Sequence, residues 1–144
     1  MKSDTNLSKT LVNSYRVAHY RVVITNMISF IIKIKKKSAD LLLLMEKHHQ
    51  YTAVYITAYN SRGKQTDRNI NMRSQKALLG EIIRTGLPYW DGFGEDPTGA
   101  WKSEPSFLVL GMTQEEAEAL GRKYSQNAIV WVEGDGLPGL IFLR

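Results

Sequence analysis

Glu104 is the residue in this chain best suited to chemistry. It lies in Trp101-Lys102-Ser103-Glu104-Pro105-Ser106-Phe107, where a carboxylate and a hydroxyl open an apolar strand beside a tryptophan. A carboxylate against an indole loses hydration, which raises its pKa and suits it to proton transfer near neutrality. Asn60 has a comparable setting at the end of Thr57-Ala58-Tyr59-Asn60, and Gln126-Asn127 stands between a helix and a strand. Strand ends that open into loops are where sites are usually built. Asn60, Trp101, Glu104, Ser106 and Gln126 therefore form the candidate ligand- or partner-binding group, lining one polar depression. Glu104 is the candidate catalytic residue among them. The structural alternative is that these side chains cap helices and tie loops, as buried polar groups must.

Other chemistries find little support. The chain has no cysteine, which removes disulfides, thiolate zinc sites, iron–sulfur clusters and cysteine nucleophiles together. His48-His49 is its only histidine pair. Adjacent helix positions point about 100° apart, so the two rings cannot chelate one ion as an i, i+4 pair would. Asp91, Glu95 and Asp96 carry the oxygen ligands that hard cations prefer, but at no calcium-loop spacing, and they read as a solvated acidic loop. Gly134-Asp135-Gly136 lacks the lysine and the strand–loop–helix setting of a phosphate loop, and no nucleophile elbow is present. No metal and no cofactor is expected.

The elements that must position the candidate group follow from periodicity. Leu11, Val12, Tyr15 and Ala18 predict a short helix over 8–17, after a mobile N-terminus spanning 1–10. Residues 20–24 and 28–34 read as a hairpin, with Phe30, Ile32 and Ile34 on one face and Ser29, Ile31, Lys33 and Lys35 on the other. Ser38 caps a helix over 39–49 whose five consecutive apolar residues predict burial around most of its girth. A strand over 51–58 precedes a helix over 67–85, its stripe made of Met72, Leu79, Ile82 and Ile83 and its end marked by Gly86 and Pro88. Residues 89–101 are rich in Gly, Pro and acids, which predicts the longest loop. A strand over 106–110, a helix over 113–124 opened by the capping box Thr113–Glu116, and strands over 128–132 and 140–143 complete the chain. The expectation is a single α+β domain over 11–144. It is a sandwich with a mixed or antiparallel sheet and about three main helices.

At 144 residues the chain is long enough to bury a core without staples, and 43% apolar with 23% charged residues is ordinary globular composition. The net charge of +5 is uneven, with +7 in residues 1–37 and −2 in the remainder. Lys35-Lys36-Lys37 carries no interleaved aromatic to stack on bases. Nucleic-acid binding, where it occurs, is therefore expected to be weak and governed by phosphate attraction. No apolar run approaches the roughly 20 residues that span a bilayer, and the opening residues lack a secretion pattern. No membrane association is expected, and the cytoplasm is the expected compartment.

The same stretches carry a resemblance. Ile56-Thr57-Ala58-Tyr59-Asn60, Asn71 with Arg73 ahead of Leu78, Gly92, Trp101-x-x-Glu104-Pro105-Ser106-Phe107 and Gln126-Asn127-Ala128-Ile129 resemble a small bacterial family, domain-of-unknown-function family 3293. The similarity runs roughly from Tyr15 to Leu140. Where that family usually has Asn-Pro, this chain has Asn60-Ser61. The resemblance implies one domain and draws attention to those polar positions, without implying an activity. Three functions follow in order. The first is a non-enzymatic binding protein for a small ligand or partner protein, such as an adaptor or an inhibitor of a larger machine. The second is a small enzyme using Glu104 as general acid–base. The third is a weak nucleic-acid binder using the basic N-terminal region.

Overall fold

The computed structural model describes residues 5–144. The expected mobile N-terminus falls partly on residues 1–4, outside the described residues; beyond them, the Asn6 N–H donates to the Arg144 carbonyl at 3.3 Å. Ser8 then accepts from the Leu11 N–H and caps α1 (Lys9–Val17). The chain continues through β1 (His19–Thr25), β2 (Ile28–Ile32), α2 (Ala39–Lys47) and β3 (Ala53–Ile56). A short 3-10 turn at Ser61–Gly63 precedes α3 (Arg68–Thr85). After it come β4 (Tyr89–Glu95), β5 (Glu104–Leu110), α4 (Gln114–Lys123), β6 (Ala128–Val132) and β7 (Gly139–Phe142).

The seven strands form one sheet in the order β2-β1-β4-β5-β3-β6-β7, and every adjacent pair is antiparallel. The fold is a single α+β domain with four helices. The sheet curls, and the segments beyond its two edge strands meet where the Lys35 N–H donates to the Pro138 carbonyl at 2.8 Å.

Side-chain alternation divides the core between the two faces of the sheet. On one face Tyr20, Val22, Ile32, Tyr55, Leu108 and Leu110 pack with Leu41 and Met45 of α2. On the other, Val54, Ile56, Phe107, Val109 and Ile129 pack with Leu78 and Ile82 of α3 and Ala117 of α4. Each fully buried Leu or Ile contributes about 1.5–3 kcal/mol of transfer free energy, so both layers are needed. That second face is less covered at the β1 and β4 end, where Phe93 is 38% exposed and Tyr89 37%.

Three expectations are corrected. Most of the predicted 89–101 loop is strand β4, paired with both β1 and β5. Gly92 is there because two neighbours leave no room for a side chain: a Cβ would stand 2.4 Å from the Arg21 carbonyl oxygen and 2.5 Å from the Tyr55 hydroxyl. Composition alone assigned those glycines to turns. Asp91 and Glu95 consequently belong to a strand rather than an acidic loop, and Glu95 pairs with Arg21 at 3.0 Å.

Helix α2 buries Leu41 and Met45 while Leu43 is 66% exposed, so its apolar run is not enclosed on most sides. Helix α3 turns Asn71, Gln75, Leu78 and Ile82 inward, whereas Met72 and Ile83 are about half exposed. The inward stripe thus contains two amides, which a purely apolar reading passes over. The capping box of α4 forms as its spacing requires, with Glu116 N–H donating to Thr113 Oγ1 and Thr113 N–H to Glu116 Oε1.

Candidate functional site

The 3-10 turn and β5 meet through one charge-assisted hydrogen bond. Asn60 Nδ2 donates to Glu104 Oε2 at 2.6 Å, the short length expected when the acceptor is ionised. Glu104 opens β5, where it lies opposite Gly94 of β4. Asn60 follows β3, which is also β5's neighbour. The sheet order therefore brings the two residues together although 44 positions separate them in sequence.

Asn60 is held on every side. Its Oδ1 accepts from the Thr66 N–H at 3.0 Å and from Asn71 Nδ2 at 2.9 Å, and its own N–H donates to Asn71 Oδ1 at 2.9 Å. Asn71 also donates to the Thr66 carbonyl. One turn further along α3, Gln75 accepts from the Ala58 N–H at 2.8 Å and donates to the Pro105 carbonyl at 3.0 Å. The two inward amides of α3 thereby tie β3's exit to β5's entrance.

This network supports unusual backbone. Asn60 and Arg62 have φ of 46° and 61°, and Ser125 opposite them has φ of 53°. Such left-handed non-glycine residues cost about 1–3 kcal/mol each and persist only where their surroundings over-determine them. The Arg62 N–H donates to the Ser125 carbonyl at 2.8 Å, joining the two loops. Gly63 lies over Asn127, and a Cβ there would come within 2.7 Å of its Nδ2.

Two tyrosines join α1 to β1 and to Asn127. Tyr15 Oη accepts from Asn127 Nδ2 at 3.1 Å, and Tyr20 Oη donates to the Tyr15 carbonyl. Burial pushes the Tyr15 phenol up; the Asn127 hydrogen bond opposes this, and the negative charge of Glu104 adds to it. Tyr20 is also held well above the ordinary phenol range, by burial first, then by Tyr15 and Glu104. Both phenols therefore stay neutral. Partial burial raises the Glu104 carboxyl above its usual value, against the lowering effect of the Asn60 hydrogen bond.

The other sequence candidates are placed less centrally. Ser106 is buried on the same face of β5, and its Oγ donates to the Glu104 carbonyl at 3.1 Å. Buried Gln126 donates from Nε2 to the carbonyls of Tyr59 and Tyr124, fastening the residue before Asn60 without touching Glu104. Trp101 is 36% exposed in the loop between β4 and β5 and forms no hydrogen bond to Asn60, Glu104, Ser106 or Gln126. Two open depressions of about 300 and 340 Å³ lie elsewhere, one between α3 and α4 and one beside β7, and none of the five candidates lines either. Tyr15 and Tyr20 were not singled out from sequence, because their hydrogen bonds to Asn127 and to each other join α1, β1 and the start of β6 only in the folded chain. Asn71 and Asn127 did carry a signal, as members of the resemblance.

Among the described residues no group of three or more His, Cys, Asp or Glu is arranged to hold a metal, and no helix is long and apolar enough to cross a membrane.

Comparison with curated proteins and with solved structures finds no match. One family, described as "Protein of unknown function (DUF3293)", matches residues 56–129, just over half of the chain. The matched stretch runs from the end of β3 to the start of β6 and contains Asn60, Asn71, Gln75, Trp101, Glu104, Ser106, Gln126 and Asn127. It is shorter than the span from Tyr15 to Leu140 suggested by residue resemblance, and it excludes both tyrosines. By that match, centred on the residues that build the Asn60–Glu104 site, this chain belongs to the DUF3293 family.

Proposed function

We propose that this chain is a cytoplasmic binding protein that holds a ligand or partner group at the Asn60–Glu104 pair. The observation that carries this reading is the support given to Asn60, fixed by three hydrogen bonds in a left-handed conformation and aimed at a partly buried carboxylate. A loop tie needs no carboxylate at its centre, whereas a binding site gains from a charged acceptor whose neighbours are already ordered. Equilibrium dialysis of wild type and Glu104→Gln against a small-molecule cell extract, read by mass spectrometry, tests it. A compound retained by wild type and released by the variant, with unchanged circular dichroism in both, is the expected result. Identical retention by the two proteins refutes the reading.

A second reading, an enzyme using Glu104 as general acid–base, draws on a different observation. The Glu104 carboxyl is raised by burial, and its charge acts on a Tyr15 phenol whose oxygen accepts from Asn127. A carboxyl–phenol pair can take and return a proton. Chemical conversion of the retained compound by wild type but not by Glu104→Gln distinguishes this reading from binding alone.

A further inference from the structure

Charged groups taken out of water are paired, and a partly buried carboxylate normally finds a cation. Glu104 is partly buried, but its hydrogen-bond partner is the neutral amide of Asn60. The ion pairs among the described residues are Arg21–Glu95, Arg122–Glu118 and Lys123–Glu81, and none includes Glu104. The nearest positive charge by strand pairing, Arg21 of β1, is already engaged by both oxygens of Glu95. Arg62 and Lys102, on the adjoining loops, are exposed and form no ion pair. The other groups recorded beside Glu104 are neutral as well: Asn60, the Ser106 hydroxyl on its carbonyl, and Gly94 across the strand pair.

A half-buried carboxylate whose one side-chain partner is a neutral amide already held in place is complementary to a compact organic cation, which supplies the missing charge. A divalent metal is a poorer fit, because hard cations gather six or more oxygens and this site offers a single carboxylate.

We propose that the group bound at the Asn60–Glu104 pair is an ammonium or guanidinium, carried either by a free amine or by a Lys or Arg side chain of a partner. This inference rests on the binding reading above and names the chemistry of its ligand. The shared chemistry is the cation, and Glu104 is the charge that receives it, through the carboxylate whose Oε2 already accepts from Asn60.

The test is a nitrogen-15 and carbon-13 NMR titration of the full chain. The probes are methylguanidinium and n-butylammonium chloride, their neutral counterparts methylurea and n-butanol, and a blocked Gly-Arg-Gly peptide. The two cations should shift the Asn60 side-chain amide and the Glu104 carboxyl resonance at millimolar concentration, the neutral pair should leave them in place, and Glu104→Gln should weaken the cation response at least tenfold. A tighter response to the peptide than to methylguanidinium identifies a protein side chain as the source; the reverse order identifies a free amine. If methylurea or n-butanol shifts these resonances as strongly as the cations, the site binds but the cation inference is overturned. If no probe shifts them while Lys102→Gln makes the cations effective, Lys102 fills the role in solution and the inference is again overturned. Silence in both wild type and Lys102→Gln refutes the binding reading together with it.

Discussion

Truncating Asn71 to Ala should loosen the candidate site without touching it. Asn71 is 5% exposed and spends its amide on three contacts: the Asn60 N–H and Asn60 Oδ1, each at 2.9 Å, and the Thr66 carbonyl at 3.2 Å. A typical intramolecular hydrogen bond contributes about 0.5–1.5 kcal/mol net, and stranding a buried partner costs more. The Asn60 N–H and the Thr66 carbonyl both lose this partner, so the change should cost about 2–4 kcal/mol. For a domain of this size that lowers Tm by about 7–13 °C. The neighbouring Asn69 is exposed and its side chain forms no hydrogen bond, so Asn69→Ala should stay within about 0.5 kcal/mol. Urea unfolding followed by circular dichroism reads both variants at constant m-value. With its support gone, Asn60 should also leave the left-handed region and its side-chain amide should lose the downfield position of a donor to a carboxylate. If Asn71→Ala is as stable as Asn69→Ala, the network does not hold the turn and the argument for a prearranged site fails.

The remaining predictions concern the frame and its charges. Gly92→Ala places a methyl against the Arg21 carbonyl and Tyr55 Oη. It must displace the Tyr55 hydroxyl from its 2.7 Å bond to that carbonyl and should cost about 2–5 kcal/mol by calorimetry; a loss under about 0.5 kcal/mol would contradict the assigned strand contacts. Thr113→Ala removes one half of the α4 capping box and should cost about 1 kcal/mol in urea unfolding, with Glu116→Ala adding little to it because the two form one motif. The Glu104 carboxyl is raised in the folded protein, so between its unfolded and folded pKa the native state holds more protons and stability falls as pH rises. Glu104→Gln should therefore gain on wild type in melts taken from mildly acidic to neutral pH, and a constant difference across that range would count against the shift. Glu81 behaves oppositely. The Tyr124 hydrogen bond, then Lys123, hold its carboxyl below the usual range, so its contribution is present at neutral pH and fades as acid protonates it.

Several of these features could be read from the residues before any coordinates, and the exceptions have identifiable causes. The hairpin, β6 and the α4 cap rest on local rules, alternation and the Thr113–Glu116 spacing, and they formed within a residue or two of their expected limits. Strand β4 was missed because Gly92 and Gly94 resemble turn residues until β1 and Tyr55 are known to press against Gly92. The inward stripe of α3 was misassigned because it contains Asn71 and Gln75. These face the sheet to bind backbone groups, while apolar Met72 and Ile83 face outward. At the site, Asn60 and Glu104 were marked by their positions at neighbouring strand ends. Trp101 was grouped with them for its closeness in sequence; it is 36% exposed in the loop between β4 and β5 and makes no hydrogen bond to them. Tyr15 and Tyr20, whose phenols feel the charge of Glu104, come from α1 and β1, more than 80 residues earlier, where no spacing rule reaches.

The central claim is that Glu104 is a partly desolvated carboxylate, in no ion pair among the described residues, that takes up a cation as its ligand. Carbon-13 NMR titration of the Glu104 side-chain carboxyl measures this directly. The free protein should give a pKa above the ordinary glutamate value of about 4.3, returning toward or below that value when methylguanidinium is present. A free-protein pKa at or below the ordinary value, unchanged by the cation, would show that Glu104 is already solvated or paired and would contradict the account.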